Sequence, residues 1–286
     1  MSASLIGDER ALEDIAHRMR VRTVEMLSGV GSGHWGGSLS AVEILTCLYF
    51  GIMRVDPKNP SWPDRDRFVA SKGHVGPALY PILAEKGFFP HEMLSELDKP
   101  GGRLTKHVDR FKCPGVDLSA GCLGQGLSAG AGMAAAAKLD RRDYRVFVLL
   151  GDGELDSGQI WEAAMAATKY RLDNLIAIVD RNSIQLDGST DTAEEIMPLE
   201  PLADKWRAFG WEVRDVDGHS IPRLLPALRE PAQAGRPLVV IARTVKGKGI
   251  SFMEGKKEWH HRAISPGEAK QAMAEVLGKE KAPCRL

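Results

Sequence analysis

Sequence features typical of several protein classes are missing or scarce. The 286 residues include four cysteines and no CxxC pair, so neither a zinc-ribbon pattern nor a disulfide framework is indicated. No stretch comes near the roughly 18 uninterrupted apolar residues of a membrane-spanning helix, and the first residues lack the apolar core of a signal peptide. We therefore expect free thiols, a cytoplasmic location and no membrane partner.

A surplus of charge of either sign is also missing. Lys and Arg number 38 and Asp and Glu number 38, which gives a formal net charge of zero. Because nucleic acids and anionic membranes attract basic surfaces, this balance gives no electrostatic reason to expect either partner. Any site for an anion must then be local. With 43% hydrophobic and 27% charged residues, the composition is that of an ordinary globular protein.

Apolar runs alternate with helical patterns along most of the chain. The predicted strands are 67–71, 145–150, 175–179, 211–216 and 238–242, and the predicted helices are 9–28, 40–50, 76–86, 124–138, 160–170, 221–228 and 265–277. This alternation indicates an α/β fold, a parallel sheet flanked by helices on both faces, and we assign residues 1–286 to one domain. Gly29 is expected to end the first helix, and Ser40 and Glu43 are predicted to form a capping box.

Polar residues follow two of the predicted strands at the edge where parallel α/β sheets bind ligands. Asp152 follows the second predicted strand, and Asn182 follows the third. A right-handed crossover would make these strands neighbours or near neighbours, and carboxylate and amide oxygens suit a hard cation such as magnesium. Gly151 and Gly153 allow a bulky anion to approach the backbone. The glycine-rich start of helix 124–138 offers N–H groups and a positive helix end to phosphates.

Five stretches resemble one enzyme family. GDGELDSGQIWEAAMAATKYRLDNLIAIVDRNSIQLDG, from position 151, resembles the GDG…N signature of thiamine-diphosphate enzymes. Four others resemble the N-terminal section of transketolases in that family's order: SGHWGGSLS at 32–40, DRFVASKGHVGPALY at 66–80, CLGQGLSAGAGMA at 122–134 and RTVKGKGISFME at 243–254. A lone GDG is weak, whereas five ordered matches over nearly the whole chain are specific. The resemblance implies the thiamine-diphosphate-binding fold, with thiamine diphosphate and Mg²⁺ (or Ca²⁺ or Mn²⁺) as cofactors.

The resemblance also implies a role for each matching position. The metal ligands correspond to the side chains of Asp152 and Asn182 and the backbone carbonyl of Ile184. The cofactor-binding positions correspond to Gly124, Gln125, Gly126, Gly151, Asp152, Gly153, Glu154, Asn182 and His74. The channel histidines of the family correspond to His34, His74, His107 and one of His260 and His261. Imidazole suits this chemistry, because ketol transfer moves protons on sugar hydroxyls near neutral pH.

Only the first part of a full-length transketolase is matched. In the family, a later domain carries the glutamate that pairs with the aminopyrimidine ring. We therefore expect a partner, a C-terminal transketolase-type subunit with the pyrimidine-binding domain, in an α2β2 assembly that transfers a two-carbon ketol unit from a ketose phosphate to an aldose. Two positions depart from the family. Trp35 replaces a proline and is expected to narrow or reshape the channel, and Ser157 replaces an acid associated with linking paired sites.

Other functions remain open from the sequence. A 2-oxo acid dehydrogenase α subunit shares the metal motif but not the histidine motifs, and a deoxyxylulose-phosphate synthase needs a longer chain. A non-catalytic phosphate-binding regulator explains GDG but not the histidines. The plainer interpretations are turn residues for Asp152 and Asn182, a structural cap for His219, and solvated charges for Lys246 and Lys248. For the two lysines the alternative is an ordered loop near the cofactor entrance. The donor and acceptor sugars are not named by the sequence.

Overall fold

The computed structural model describes residues 5–186 and 193–278. Within these ranges the α-helices are α1 (Glu9–Val30), α2 (Trp35–Leu39), α3 (Val42–Thr46), α4 (Gly76–Lys86), α5 (Gln125–Leu139), α6 (Gly158–Lys169), α7 (Ala193–Ile196), α8 (Leu202–Ala208), α9 (Ile221–Arg229) and α10 (Pro266–Leu277). The β-strands are β1 (Ser32–Gly33), β2 (Arg67–Ala70), β3 (Val146–Gly151), β4 (Leu175–Arg181), β5 (Glu212–Asp217), β6 (Leu238–Arg243) and β7 (Arg262–Ala263). A π-helix (Cys47–Ile52) follows α3.

Five strands form one parallel sheet in the order β2-β3-β4-β6-β5. β4 is the central strand, and every residue of β3 and β4 is buried. Strands covered on both faces are near-continuous apolar runs, which is why these two were recognisable in the sequence. The predicted α/β fold is confirmed. The two strands that precede Asp152 and Asn182 are direct neighbours in the sheet.

Successive side chains of β3 point to opposite faces of the sheet and enter two cores. Phe147 and Leu149 belong to the larger core, which the N-terminal helices, α9 and α10 cover. Val148 and Leu150 belong to the smaller core, which α5, α6 and α8 cover. Because all five strands are parallel, their carboxyl ends share one edge between these two layers.

Helix α5 packs close to the sheet because its inward face carries glycine and alanine. A Cβ atom built at Gly130 would lie 2.4 Å from Cγ2 of Val148, and one built at Gly126 would lie 2.4 Å from Cβ of Ser71. Neither distance leaves room for a side chain. The prediction that this run of small residues packs closely against another element is confirmed. A Cβ atom at Gly132, on the exposed face of the same helix, meets nothing within 4 Å.

The end of α1 differs slightly from the prediction. The helix continues through Gly29 to Val30, and Gly31 is the residue that ends it. Gly31 has a φ of 79°, and its amide donates to the carbonyl of Leu27. This left-handed cap is the position at which glycine is favoured at a helix end.

The helix predicted over 40–50 is confirmed with shifted bounds. Helix α3 and the π-helix run without a break from Val42 to Ile52. The capping box is wrong: the hydroxyl of Ser40 donates to Oδ2 of Asp180 at 2.6 Å, and the carboxylate of Glu43 binds Arg20. Both polar side chains form long-range contacts near the carboxyl edge of the sheet instead of local helix contacts.

The state of the cysteines and the search for membrane-spanning helices concern the described residues. Cys47, Cys113 and Cys122 are free thiols, as expected, and Cys284 lies outside the described residues. Across 5–186 and 193–278, no helix is long and apolar enough to cross a bilayer.

The close packing of α5 predicts opposite effects for two glycines of one helix. Gly130→Ala should lower the free energy of unfolding by about 1–3 kcal/mol, because the added methyl group overpacks against Val148. Gly132→Ala should raise it by up to about 1 kcal/mol through helix propensity alone. Urea unfolding of the two variants and the wild type measures both changes. A Gly130→Ala chain at least as stable as Gly132→Ala would contradict this packing.

Candidate active site

The ends of β3 and β4 bring Asp152 and Asn182 together at the carboxyl edge of the sheet. The Asp152 carboxylate accepts hydrogen bonds from the amides of Gly153 at 2.9 Å and Ser183 at 2.5 Å, and from Nη1 of Arg181 at 3.3 Å. An ionised carboxylate offers about four acceptor sites. These three bonds therefore fix the carboxylate in place and leave it able to ligate a cation.

Asn182 and Ile184 provide two further oxygens beside Asp152. Oδ1 of Asn182 accepts from the Ile184 amide at 3.3 Å, which closes a short turn after β4. The Ile184 carbonyl accepts from the ammonium of Lys246 at 3.3 Å. These oxygens come from a carboxylate, an amide and a carbonyl, which is the ligand chemistry of a hard divalent cation. The described ranges contain no group of three or more His, Cys, Asp or Glu side chains arranged to hold a metal.

Lys246 was interpreted as a solvated charge, and that interpretation is wrong. Its side chain is 2% exposed, with the ammonium 3.3 Å from the Ile184 carbonyl and 3.1 Å from Nδ1 of His260. Burial lowers its pKa to about 8, although the charge of Asp152 opposes this. Conversely, burial and the nearby charge of Asp180 raise the pKa of Asp152, and Lys246 opposes that shift. A positive group beside these oxygens therefore stabilises their negative charge.

Glu154 organises the glycine turns on either side of it. Its carboxylate accepts from the amides of Gly124 at 2.8 Å and Gly151 at 3.0 Å and from the hydroxyl of Ser71. The Gly126 amide donates to the same hydroxyl at 3.1 Å. Two of the amides that the sequence offered to a phosphate, those of Gly124 and Gly126, are thus engaged within the chain. Glu154 faces inward and holds the turns.

Two other cofactor-binding candidates, Gln125 and Gly153, lie in different surroundings. The Gln125 side chain is exposed and donates to Oε1 of Gln159 at 2.8 Å, so it points away from Asp152 and Glu154. Gly153 packs under Gln185, whose Cγ would lie 2.9 Å from a Cβ atom at Gly153. Nε2 of Gln185 is buried and has no hydrogen-bond partner among the described residues. Sequence reasoning missed this available donor beside the turn, because glutamine in a loop carries no distinct signal.

Five histidines from four segments form a cluster around His34. The ring centroid of His34 lies 5.4 Å from that of His74, 5.1 Å from His107, 5.7 Å from His260 and 4.5 Å from His261. His74 and His260 are 5.1 Å apart. The structure brings all five candidate histidines together, and both His260 and His261 belong to the cluster.

Four of the clustered imidazoles have lowered pKa values. Burial, and then the neighbouring histidines and Lys106, lower the pKa of His34 to about 3. Burial and the charges of Lys246 and Lys72 lower the pKa of His260 to about 3. Burial also lowers the pKa values of His74 and His107. A neutral imidazole has one donor and one acceptor nitrogen, so each ring can bind a hydroxyl in either sense.

A buried ion pair that the sequence analysis did not identify lies behind the cluster. The ammonium of Lys72 donates to Asp180 and to the Gly37 carbonyl at 3.0 Å. Asp180 also accepts from the hydroxyls of Ser40 and Thr244. A sequence signal existed, because Lys72 lies in the stretch SKGH and Asp180 ends an otherwise apolar strand. Charged residues at these positions are seldom buried without a partner.

His219 supports the loop that carries Lys246. Its Nδ1 lies 3.0 Å from Oε2 of Glu43, and its Nε2 accepts from the Val245 amide at 2.8 Å. Arg20 binds the same carboxylate at 2.8 Å and donates to the Lys248 carbonyl at 3.1 Å. These contacts agree with the structural role expected for His219.

Trp35, the first departure from the family, is part of the core. Its side chain is fully buried, its Nε1 donates to the Arg262 carbonyl at 3.3 Å, and its ring packs edge-on against Trp259 at 6.2 Å. β1 pairs with β7 in an antiparallel ladder beside it. The tryptophan thus fastens the segment of His34 to the segment of His260 and His261.

Ser157, the second departure, packs against the turn before α5. Its Oγ would lie 2.5 Å from a Cβ atom at Gly124, which has a φ of 87°. Glycine is therefore required at position 124 both by the backbone conformation and by this contact.

Similarity to known proteins extends over nearly the whole chain. Residues 12–284 match the family described as transketolase, thiamine diphosphate binding domain. The chain is 49% identical over 266 residues to the 6-deoxy-6-sulfo-D-fructose transketolase subunit of Clostridium sp. (strain MSTE9), covering 93% of this chain and 96% of the relative. It is 45% identical to an apulose-4-phosphate transketolase subunit of Phocaeicola vulgatus, with 93% of each chain covered.

Longer relatives match over part of their length. Human transketolase is 40% identical over 94% of this chain, which spans 42% of the human protein. The crystal structure of transketolase from Campylobacter jejuni superposes with a TM-score of 0.86 at 30% identity, covering 93% of this chain and 43% of that one.

The support of the Lys246 loop has a pH signature. Burial acts to raise the pKa of Glu43, but the charge of Arg20 and hydrogen bonds from His219 and Arg20 outweigh it and lower the pKa from 4.5 to about 2. A carboxyl whose folded pKa lies below its unfolded value stabilises the fold above the unfolded value and loses that contribution as the pH falls.

We therefore expect the stability advantage of the wild type over Glu43→Gln to shrink by about 2 kcal/mol between pH 5.5 and pH 3. Urea unfolding at both pH values measures it. Glu13→Gln, on the exposed face of α1, is the control and should show a much smaller change. A pH-independent difference for Glu43→Gln would refute the assigned charge state.

Proposed function

Since the chain belongs to the transketolase family, through its thiamine diphosphate binding domain, we propose that it is the diphosphate- and metal-binding subunit of a two-chain transketolase. In this proposal the pair transfers a two-carbon ketol unit from a ketose phosphate to an aldose acceptor. The observation that carries the proposal is the convergence of the Asp152, Asn182 and Ile184 oxygens with a cluster of neutral histidines at one sheet edge. The relatives matched over almost their whole length are transketolase subunits by name.

The donor groups fit a magnesium–diphosphate pair. Asp152, Asn182 and the Ile184 carbonyl are the proposed metal ligands, and their setting already stabilises a positive charge, because the Lys246 ammonium contacts the Ile184 carbonyl. Gln185 has a buried amide nitrogen that can donate to a phosphate oxygen. Thiamine diphosphate, when bound, supplies the thiazolium carbon that stabilises the carbanion. The identity of the metal as magnesium is part of the proposal.

The histidine cluster has chemistry that suits ketol transfer. Burial and neighbouring charges lower the pKa values of His34 and His260 to about 3, so these two rings are neutral near pH 7. A neutral ring can bind a sugar hydroxyl and accept or return its proton, whereas an imidazolium ring can only donate. We assign this role to His34, His74, His107, His260 and His261. A phosphate-binding regulator has no use for such a cluster, which favours the enzyme over that alternative.

A partner chain is part of the proposal. This chain spans about two fifths of full-length relatives, as the human and Campylobacter jejuni coverage shows. We propose that a C-terminal transketolase-type subunit supplies the pyrimidine-binding half, in an α2β2 assembly. The assignment of residues 1–286 to one domain and the cytoplasmic location also stay predictions.

Reconstitution tests the two-chain proposal. The purified chain, its partner and their equimolar mixture are assayed for ketol transfer with thiamine diphosphate and Mg²⁺. We expect activity only in the mixture, because in this proposal the partner supplies the pyrimidine-binding half. Full activity of the lone chain would disprove the need for a partner, and an inactive mixture over a wide sugar panel would count against ketol transfer itself.

The metal-site assignment predicts a specific loss of binding. Asp152→Ala should weaken magnesium-dependent binding of thiamine diphosphate by at least about 100-fold, since altering even outer partners of a metal site costs 10–100-fold. Titration calorimetry on the reconstituted pair measures the affinity, and circular dichroism checks the fold. The control is Asp140→Ala, at the exposed end of α5. Normal cofactor binding by Asp152→Ala would show that another residue holds the metal.

A further inference from the structure

Lys106 stands at the rim of the histidine cluster. It precedes His107 in the chain, and its ammonium lies 2.8 Å from Oδ2 of Asp98 and 3.3 Å from Oγ of Ser32. Ser32 is in β1, two residues before His34. The Lys106 side chain is 23% exposed, so its charged end lies between the partly buried ring of His34 and solvent.

The partner of Lys106 is a group that a ligand can replace. The Asp98 side chain is 42% exposed, and ion pairs at such exposure contribute little to stability. Asp98 has a φ of 54°, a left-handed conformation that is uncommon outside glycine, and its amide donates to the Leu104 carbonyl at 2.9 Å. Strain of this kind is concentrated at binding and functional segments.

The turn around Asp98 is locally basic in a chain of zero net charge. Lys99, Arg103 and Lys112 line a surface cleft together with Asp98 and Thr105, whose neighbour is Lys106. Arg103 is paired with Glu96 at 2.7 Å, so Lys99, Lys112 and the adjacent Lys106 give the cleft its positive charge. Positive charge raises the local concentration of anions, here beside the opening near His34 and His107.

The two lysines deeper in the site, Lys72 and Lys246, already have polar partners within the chain. Lys72 is buried against Asp180, and Lys246 is buried against the Ile184 carbonyl and His260. The neutral imidazoles suit hydroxyl groups and carry no charge for an anion. The charge of Lys106 also contributes to the lowered pKa of His34, after burial and the neighbouring histidines, which places its field within the cluster.

We propose that Lys106 is a specificity-determining residue that binds the terminal oxyanion, phosphate or sulfonate, of the sugar whose hydroxyls lie among the histidines. This assignment rests on the proposed ketol transfer and adds that the aldose acceptor carries a terminal oxyanion. The incoming oxyanion replaces the Asp98 carboxylate as the partner of the ammonium. Lys106 touches the substrate but takes no part in proton movement.

Acceptor kinetics of the reconstituted pair test the proposal. The acceptors are D-glyceraldehyde, its 3-phosphate and the aldehyde of the same length with a terminal sulfonate. Lys106→Met should lower kcat/KM for the two anionic aldehydes by about 10- to 100-fold, mainly through KM, and leave neutral glyceraldehyde within about threefold. Lys106→Arg should restore most of the loss. Lys58→Met, in the exposed turn before β2 and away from the carboxyl edge of the sheet, is the matched control and should behave as the wild type.

A second variant tests the exchange of partners. Asp98→Asn removes the competing carboxylate and should lower the KM of the anionic aldehydes by about two- to fivefold. A loss in Lys106→Met confined to one of the two oxyanions supports the assignment and identifies the ligand. Equal losses for charged and neutral acceptors, or none, would overturn it. No ketol transfer by the wild-type pair with any acceptor would instead contradict the proposed function.

Discussion

A single buried carboxylate, that of Asp180, holds the parts of the site in register. It lies at the end of the central strand and accepts from Ser40, Lys72 and Thr244, which follow α2, β2 and β6 respectively. Burial alone would raise the pKa of Asp180, but the charge of Lys72 and these hydrogen bonds lower it. Removing one member of a buried ion pair typically costs about 3–5 kcal/mol. The fold therefore tolerates this charge only when three separate segments meet around it.

The charged groups at the sheet edge differ with their distance from the protein interior. Lys72 and Asp180 form an ion pair in the interior, and at the strand ends the charges of Asp152 and Lys246 shift each other's pKa. Beyond them, burial, neighbouring histidines and nearby lysines lower the pKa values of His34 and His260 to about 3. A protein with no net charge thus contains a layered local field, with an ion pair inside and imidazoles of lowered pKa outside.

Periodicity and strand-end logic predicted much of this arrangement. All five strands of the large sheet, and the pairing of the strands before Asp152 and Asn182, followed from apolar runs and the handedness of crossovers. The capping box was mispredicted because Ser40 and Glu43 have the chemistry of helix caps, yet each is used in a long-range contact. The burial of Lys246 and the position of Gln185 escaped for a related reason: burial of a polar loop residue depends on tertiary packing, which local sequence does not encode.

The ladder between β1 and β7 has a consequence for the order in which the protein acquires its site. It joins Gly33 to Arg262, and the bond from Trp35 to Arg262 spans 227 positions. Contacts between such distant positions form slowly, because the entropy cost of closing a long loop comes before the favourable contact is made. The Asp152 turn needs only the neighbouring strands β3 and β4, whereas the histidine cluster needs contacts between segments more than 200 positions apart. Loss of the β1–β7 contact would therefore separate the histidines while leaving the end of the sheet intact.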